Sequence, residues 1–162
     1  MSVFQVSQEG MLMARTLLDE ARRVRQNAYA PYSGFKVGAA IRAASGRVYT
    51  GCKVENAAYP QGICAEAAAL AVMVSAGETE RIEVAVIAEG LQPVAPCGGC
   101  RQKIAEFASP EINVTMANLD GVIVIRTLGD LLPEAFTAQS LRREKRCAST
   151  ANESSASVFT LV

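Results

Sequence analysis

The stretch QGICAEAAALAVMV, Gln61 to Val74, decides how this chain is read. After its first few residues it is nearly all alanine, leucine, valine and methionine, the composition of a buried helix. Pro60 and Gly62 mark a loop before it, and Gly77 marks its end. Glu66 breaks the pattern. It lies in the first helical turn, two positions after Cys64. Such an acid is either a first-turn carboxylate favoured by the helix dipole or a working group beside a thiol.

Reading outward from that helix gives the architecture. Upstream, FKVGAAIRAASGRVYTGC (35–52) reads as a hairpin. Phe35, Val37, Ala39 and Ile41 alternate, Ser45-Gly46 supplies the turn, and Val48 to Cys52 return. Before it, Gly10 to Asn27 reads as a helix with Leu12, Leu17, Leu18, Ala21 and Val24 on one stripe. Downstream, Ile82 to Gly90 is a long apolar strand suited to the middle of a sheet. Cys97 to Ser109 opens a third helix, which Pro110 ends. Asn113 to Met116 and Val122 to Ile125 flank the Asp120-Gly121 turn of a second hairpin. A short helix around GDLLPEAF (129–136) closes the series. The order α-β-β-α-β-α-β-β-α predicts an α/β fold with a mixed sheet and helices on both faces. Residues 1–138 form one domain in this reading. Residues 139–162, with a basic cluster and then a Ser/Ala/Asn-rich stretch, read as a poorly ordered tail.

Composition narrows the chemistry. The chain has 162 residues, half of them hydrophobic, which is enough for one real core. Sixteen basic and sixteen acidic residues leave no net charge, so nothing draws the protein as a whole to nucleic-acid phosphates. The N-terminus lacks the pattern of a signal peptide, and the longest apolar run, 67–74, is far short of the roughly 20 residues that span a bilayer. A soluble cytoplasmic protein is expected, in which five cysteines do not form a disulfide framework. There is no histidine, which removes every catalytic scheme that needs an imidazole. A metal must then be held by cysteine or carboxylate.

Two motifs fit that constraint. One is Cys64-Ala65-Glu66. The other is Cys97-Gly98-Gly99-Cys100, also at a helix start. Three thiolates can hold Zn²⁺ and leave its fourth position for water. Helix N-termini favour the thiolate form. Taken alone, the C-x-x-C pair could equally be a redox pair or two buried thiols. Together with Glu66, placed to reach the open zinc position, the set points to an open catalytic site in which the carboxylate moves a proton. Cys52 and Cys147 have no metal-ligand partner and read as free thiols.

The combination C-A-E…P-C-x-x-C is a zinc deaminase signature in its three-cysteine form. With AYAPYSGFKVGAA (28–40), GCKVENAAYPQGICAE (51–66), PCGGCRQ (96–102) and LLPEAF (131–136), the chain resembles the homotetrameric cytidine deaminases from about Leu17 to Phe136. The resemblance implies a three-layer α/β/α sandwich around a five-stranded mixed sheet. It implies zinc on Cys64, Cys97 and Cys100, with Glu66 carrying a proton to N3 of a cytosine ring as water attacks C4. It implies that the backbone of Ala65 binds the base and that Phe35 packs on the nucleoside, although Phe35 could equally be a core residue opening a strand. It implies that Glu55 accepts from a ribose hydroxyl, and that Tyr59 and Phe136 complete sites across subunits. The expected reaction is deamination of cytidine and 2′-deoxycytidine in pyrimidine salvage.

Two positions depart from the family. Lys53 stands where the family usually has an asparagine that helps bind ribose. It could pair with Glu55, select a modified, antibiotic or anionic nucleoside, or turn to solvent. Ala67 stands where three-cysteine members often carry arginine, which leaves Arg101 or helix-end amides to balance the thiolate charge. A zinc-stabilised binding protein with weak catalysis is the reading from outside the enzyme class. The intact ligands and Glu66 oppose it.

Overall fold

A computed structural model describes residues 8–141. Expectations for residues 142–162, including Cys147, fall outside the described residues. In chain order the elements are α1 (Gln8–Arg25), β1 (Val37–Ala43), β2 (Val48–Cys52), α2 (Ala65–Ser75), β3 (Arg81–Ala88), α3 (Gly98–Ala105), β4 (Asn113–Ala117), β5 (Ile123–Thr127) and α4 (Leu128–Leu131). Short 3₁₀ turns cover Tyr59–Gln61 and Ala138–Leu141. The five strands form one sheet in the order β2-β1-β3-β4-β5. Only β3 and β4 run parallel; the other pairs are antiparallel. The long apolar strand is central, as its composition predicts, because both of its faces are covered.

Alternation along the strands builds two cores. On one face, Ala39, Ile41, Val84, Val86, Val114 and Met116 pack against Leu70 and Met73 of α2 and Ile104 of α3. On the other, Ala40, Ala85, Ile87 and Ala117 meet Leu17, Leu18 and Ala21 of α1. The result is a three-layer α/β/α sandwich with both cysteine-bearing helices in one layer.

Two glycines set how closely the helices ride on the sheet. A Cβ on Gly38 would lie 2.1 Å from the Ala21 carbonyl oxygen of α1. A Cβ on Gly51 would lie 2.3 Å from the Ala69 nitrogen and 2.5 Å from the Ala65 oxygen of α2. At β2 the backbone of α2 therefore rests on the sheet with no side chain between them. Gly51→Ala must push away the turn that carries Cys64 and Glu66. It is expected to cost about 1–3 kcal/mol of stability or more, seen as a lowered Tm in thermal unfolding. An unchanged Tm would mean that α2 is not held by this contact.

Three local expectations change. Leu12 is 63 % exposed, and Ala14 takes the inward position on α1. At the end of the same helix Arg25 is buried, while Val24 is only half-buried. The Arg25 guanidinium can be buried because it has partners: its Nε donates to the Lys36 carbonyl at 2.9 Å and it meets Glu89 at 3.3 Å. Finally, α3 stops at Ala105 rather than Ser109, and the chain tightens as the Phe107 amide donates to the Ile104 carbonyl three residues back.

Candidate active site

Cys64 and Cys97 occupy equivalent places. Each is the N-cap of its helix, with extended backbone (ψ 150° and 162°) that turns its side chain out of the helix end. Their carbonyls accept the first helical hydrogen bonds, from Ala68 at 3.0 Å and Arg101 at 2.9 Å. Cys100 lies in the first turn of α3 and is buried, whereas Cys64 and Cys97 are exposed. Because α2 and α3 lie in the same layer, the three sulfurs converge to within 4.8 Å of one another. The Cys64 and Cys97 sulfurs are 4.0 Å apart. Tetrahedral zinc with 2.3 Å bonds holds its sulfurs about 3.8 Å apart, so this donor set fits the ion both in chemistry and in spacing.

Glu66, only 4 % exposed, comes from the first turn of α2 against these thiols. Burial pushes its carboxyl above the usual range. Its own backbone amide, the Cys100 thiol and the charge of Lys103 draw it partly back. Among these protein groups, burial also raises Cys64 and Cys100. Cys97 falls below the ordinary thiol value because the Cys100 amide and the neighbouring thiols outweigh its desolvation. A buried carboxyl with a raised pKa, next to a metal site, is suited to taking up and releasing a proton.

A cavity of about 390 Å³ opens beside Cys64. Its walls include Tyr32, Ser33, Lys53, Glu55 and Tyr59. Burial and hydrogen bonding at its polar wall centre on Glu55. That carboxylate accepts from the Ser33 hydroxyl, from the Lys53 ammonium at 2.9 Å, and from the backbone amides of Tyr32 at 2.9 Å and Ser33 at 3.2 Å. The Ser33 hydroxyl foremost, then Lys53, hold its pKa down to about 2, so it stays charged across the neutral range. Of the three positions open to Lys53, the structure adopts the ion pair with Glu55. Its ammonium also lies 5.4 Å from the centre of the Phe35 ring.

The family model for the cytidine and deoxycytidylate deaminase zinc-binding region matches residues 11–116, which contain all three clustered cysteines and Glu66. The chain belongs to this deaminase family. Among curated relatives, a cytidine deaminase of Sporosarcina psychrophila is 45 % identical over 125 residues, 77 % of this chain and 92 % of that one. One from Halalkalibacterium halodurans is 43 % identical, covering 77 % and 95 %. Of solved structures, cytidine deaminase from Burkholderia pseudomallei superposes with a TM-score of 0.73 at 44 % identity, covering 75 % of this chain and 98 % of that one. The deaminase family is zinc-binding, and the three-cysteine cluster is where zinc fits here.

Not every expected site residue gathers at this deaminase centre. Tyr59 lies on the cavity rim, 79 % exposed, with its ring edge-on to Tyr32 at 6.4 Å. Phe136 is 60 % exposed and does not line the cavity. Gln102 of α3 fixes its backbone, donating to the Phe136 carbonyl at 2.7 Å and accepting from its amide at 3.2 Å. Arg101 donates to the carbonyls of Pro96 at 2.7 Å and Leu131 at 2.9 Å, tying the residue before Cys97 to α4. Sequence reasoning missed Ser33, Tyr32 and Gln102. Ser33 and Tyr32 stand in AYAPYSGF and Gln102 in PCGGCRQ, but only the folded chain shows what they bind.

Proposed function

We propose that the protein hydrolytically deaminates cytidine and 2′-deoxycytidine to uridine and 2′-deoxyuridine, releasing ammonia. The observation that carries this reading is the buried Glu66 carboxyl set against three convergent cysteine sulfurs, one of which, Cys64, lines a nucleoside-sized cavity. Cys64, Cys97 and Cys100 hold Zn²⁺. When bound, zinc supplies the Lewis acidity that makes water a nucleophile near neutral pH. Glu66 takes the proton that water gives up as its oxygen bonds to C4, and delivers it to N3. It then takes the proton of the new C4 hydroxyl and passes it to the amine; the C4–N bond breaks, ammonia leaves and C4 becomes a carbonyl. Proton relay by a positioned group contributes about 10²–10⁴ in rate. The backbone of Ala65, at the start of α2, meets the base. Phe35, which does not itself line the cavity but lies against the Lys53 ammonium of its wall, packs on the nucleoside.

Arg101 supplies positive charge from the N-terminal turn of α3, where two carbonyls fix it. The full protein is a homotetramer. Exposed apolar side chains on α2, Val72 and Val74, and the exposed rings of Tyr59 and Phe136 support sites completed between subunits. The balanced net charge supports a free nucleoside rather than a nucleic acid as substrate. Among the described residues no helix is long and apolar enough to cross a membrane, in keeping with pyrimidine salvage in the cytoplasm. Among the described residues, the catalytic domain takes in residues 8–138. A specialised antibiotic deaminase has less support, because its one motive, Lys53, is engaged with Glu55.

The test is direct. Purified zinc-loaded protein is mixed with cytidine and, separately, with 2′-deoxycytidine, and absorbance is followed as the uracil product forms. Steady turnover of both is expected. Zinc-loaded protein that converts neither is not a cytidine deaminase.

A further inference from the structure

The charged part of the cavity wall, Lys53, Glu55 and Ser33, is saturated from within, while Asn56, Tyr32 and Tyr59 line the cavity outside this cluster. An ionised carboxylate offers about four acceptor directions, an ammonium three donors, and a hydroxyl one donor and two acceptors. All four directions of Glu55 are taken, by Ser33 Oγ, Lys53 Nζ and the amides of Tyr32 and Ser33. The three donors of Lys53 go to Glu55 Oε1 at 2.9 Å, Ser33 Oγ at 3.2 Å and the Phe35 carbonyl at 3.2 Å. The Ser33 hydroxyl donates to Glu55 and accepts from Lys53 and from the Phe35 amide at 3.0 Å. Lys53 is the only cation among the residues that line the cavity, and its charge is matched by Glu55.

We infer that this closed Lys53–Glu55–Ser33 cluster makes the enzyme indifferent to the hydroxyls of the sugar, so that it accepts cytosine nucleosides lacking both the 2′- and 3′-hydroxyl nearly as well as cytidine. A hydroxyl that approaches these three side chains finds no unfilled partner among them. It must displace a charge-assisted bond to make a weaker one, and the exchange gives no advantage over an analogue without the hydroxyl. A wall with a free carboxylate behaves differently: a site built to bond a substrate hydroxyl rejects the analogue lacking it by about 10⁴. The matched charges also give a nucleoside phosphate no free cation to bind. Substrate choice then falls on the base, met at the ends of α2 and α3.

The inference rests on the deaminase reading, so its test has two separable arms. In the first, kcat/KM is measured for cytidine and 2′,3′-dideoxycytidine with the wild-type protein and Lys53→Asn. The wild-type ratio is expected below about tenfold. In Lys53→Asn, where the shorter neutral side chain frees Glu55, the ratio is expected to rise at least about tenfold further. A wild-type ratio of tenfold or more, or a ratio unmoved by the substitution, overturns the inference. In the second arm, titration calorimetry compares uridine with 2′,3′-dideoxyuridine, which needs no turnover. Affinities within about tenfold support the closed wall; a larger gap, or no binding of either, overturns it. Failure of cytidine turnover alone refutes the deaminase reading and leaves the calorimetric comparison to decide the wall.

Discussion

Glu66→Gln is expected to retain zinc at the wild-type stoichiometry and to deaminate cytidine about 10²–10⁴ times more slowly, or worse. The substitution keeps the shape of a side chain that is 4 % exposed, so α2 and the cysteine cluster keep their packing. What it removes is the ability to take and return a proton. An amide can still hydrogen-bond at the same place, which separates proton transfer from simple orientation. Metal content per chain and initial rates on the same preparation decide the matter. A variant within tenfold of the wild-type rate would show that the proton travels by another group. A variant that loses its zinc would show that Glu66 supports the metal site itself.

Cys100→Ala is expected to abolish stable zinc binding, and activity with it. Cys100 is the buried member of the cluster, 1 % exposed, while Cys64 and Cys97 stand at the two helix ends. Among the described residues no other thiol, carboxylate or imidazole joins the cluster as a further ligand. Removing one sulfur leaves two, too few for the tetrahedral site. After dialysis, metal content is expected below about a tenth of an ion per chain. The packing loss is small, because a buried cysteine behaves as a small apolar side chain. Cys52→Ala is the matched control and should keep its zinc. Full occupancy and activity in Cys100→Ala would remove Cys100 from the ligand set.

Much of this fold is legible in the sequence because it depends on periodicity and punctuation. The apolar run of β3, the glycine turns at Gly46 and Gly121, and the helix starts at Cys64 and Cys97 each follow from local rules, and the structure contains them. The cysteine cluster was legible for the same reason: two helix starts in one layer bring N-cap residues together. The misses have a different origin. Arg25 is buried because its partners, Lys36 and Glu89, lie 11 and 64 positions away, a distance no local pattern encodes. Leu12 points outward although it fits the stripe, and the buried positions on α1 are Ala14, Leu17, Leu18, Ala21 and Arg25. The bond of Ser33 to Glu55 and the tether of Gln102 to Phe136 are likewise settled by tertiary approach. The pairing of Lys53 with Glu55 could be foreseen as one of three options. Choosing among them needed the serine and the two amides that complete it.

The cavity rim is stitched together by a small ladder at the edge of the main sheet, joined to it where the Lys53 amide donates to the Val37 carbonyl of β1 at 3.0 Å. Val54 exchanges backbone hydrogen bonds with Ile63, at 3.0 and 2.8 Å, and Tyr29 bonds to the amide of Glu55 and the carbonyl of Lys53. That small ladder holds Lys53 and Glu55 and closes the loop that carries Tyr59, whereas the sulfurs and Glu66 hang from helices anchored in the core. The two parts of the centre can therefore change at different speeds during evolution. Mutations on the ladder can redraw which nucleosides enter while the machinery that cleaves the C–N bond is inherited intact.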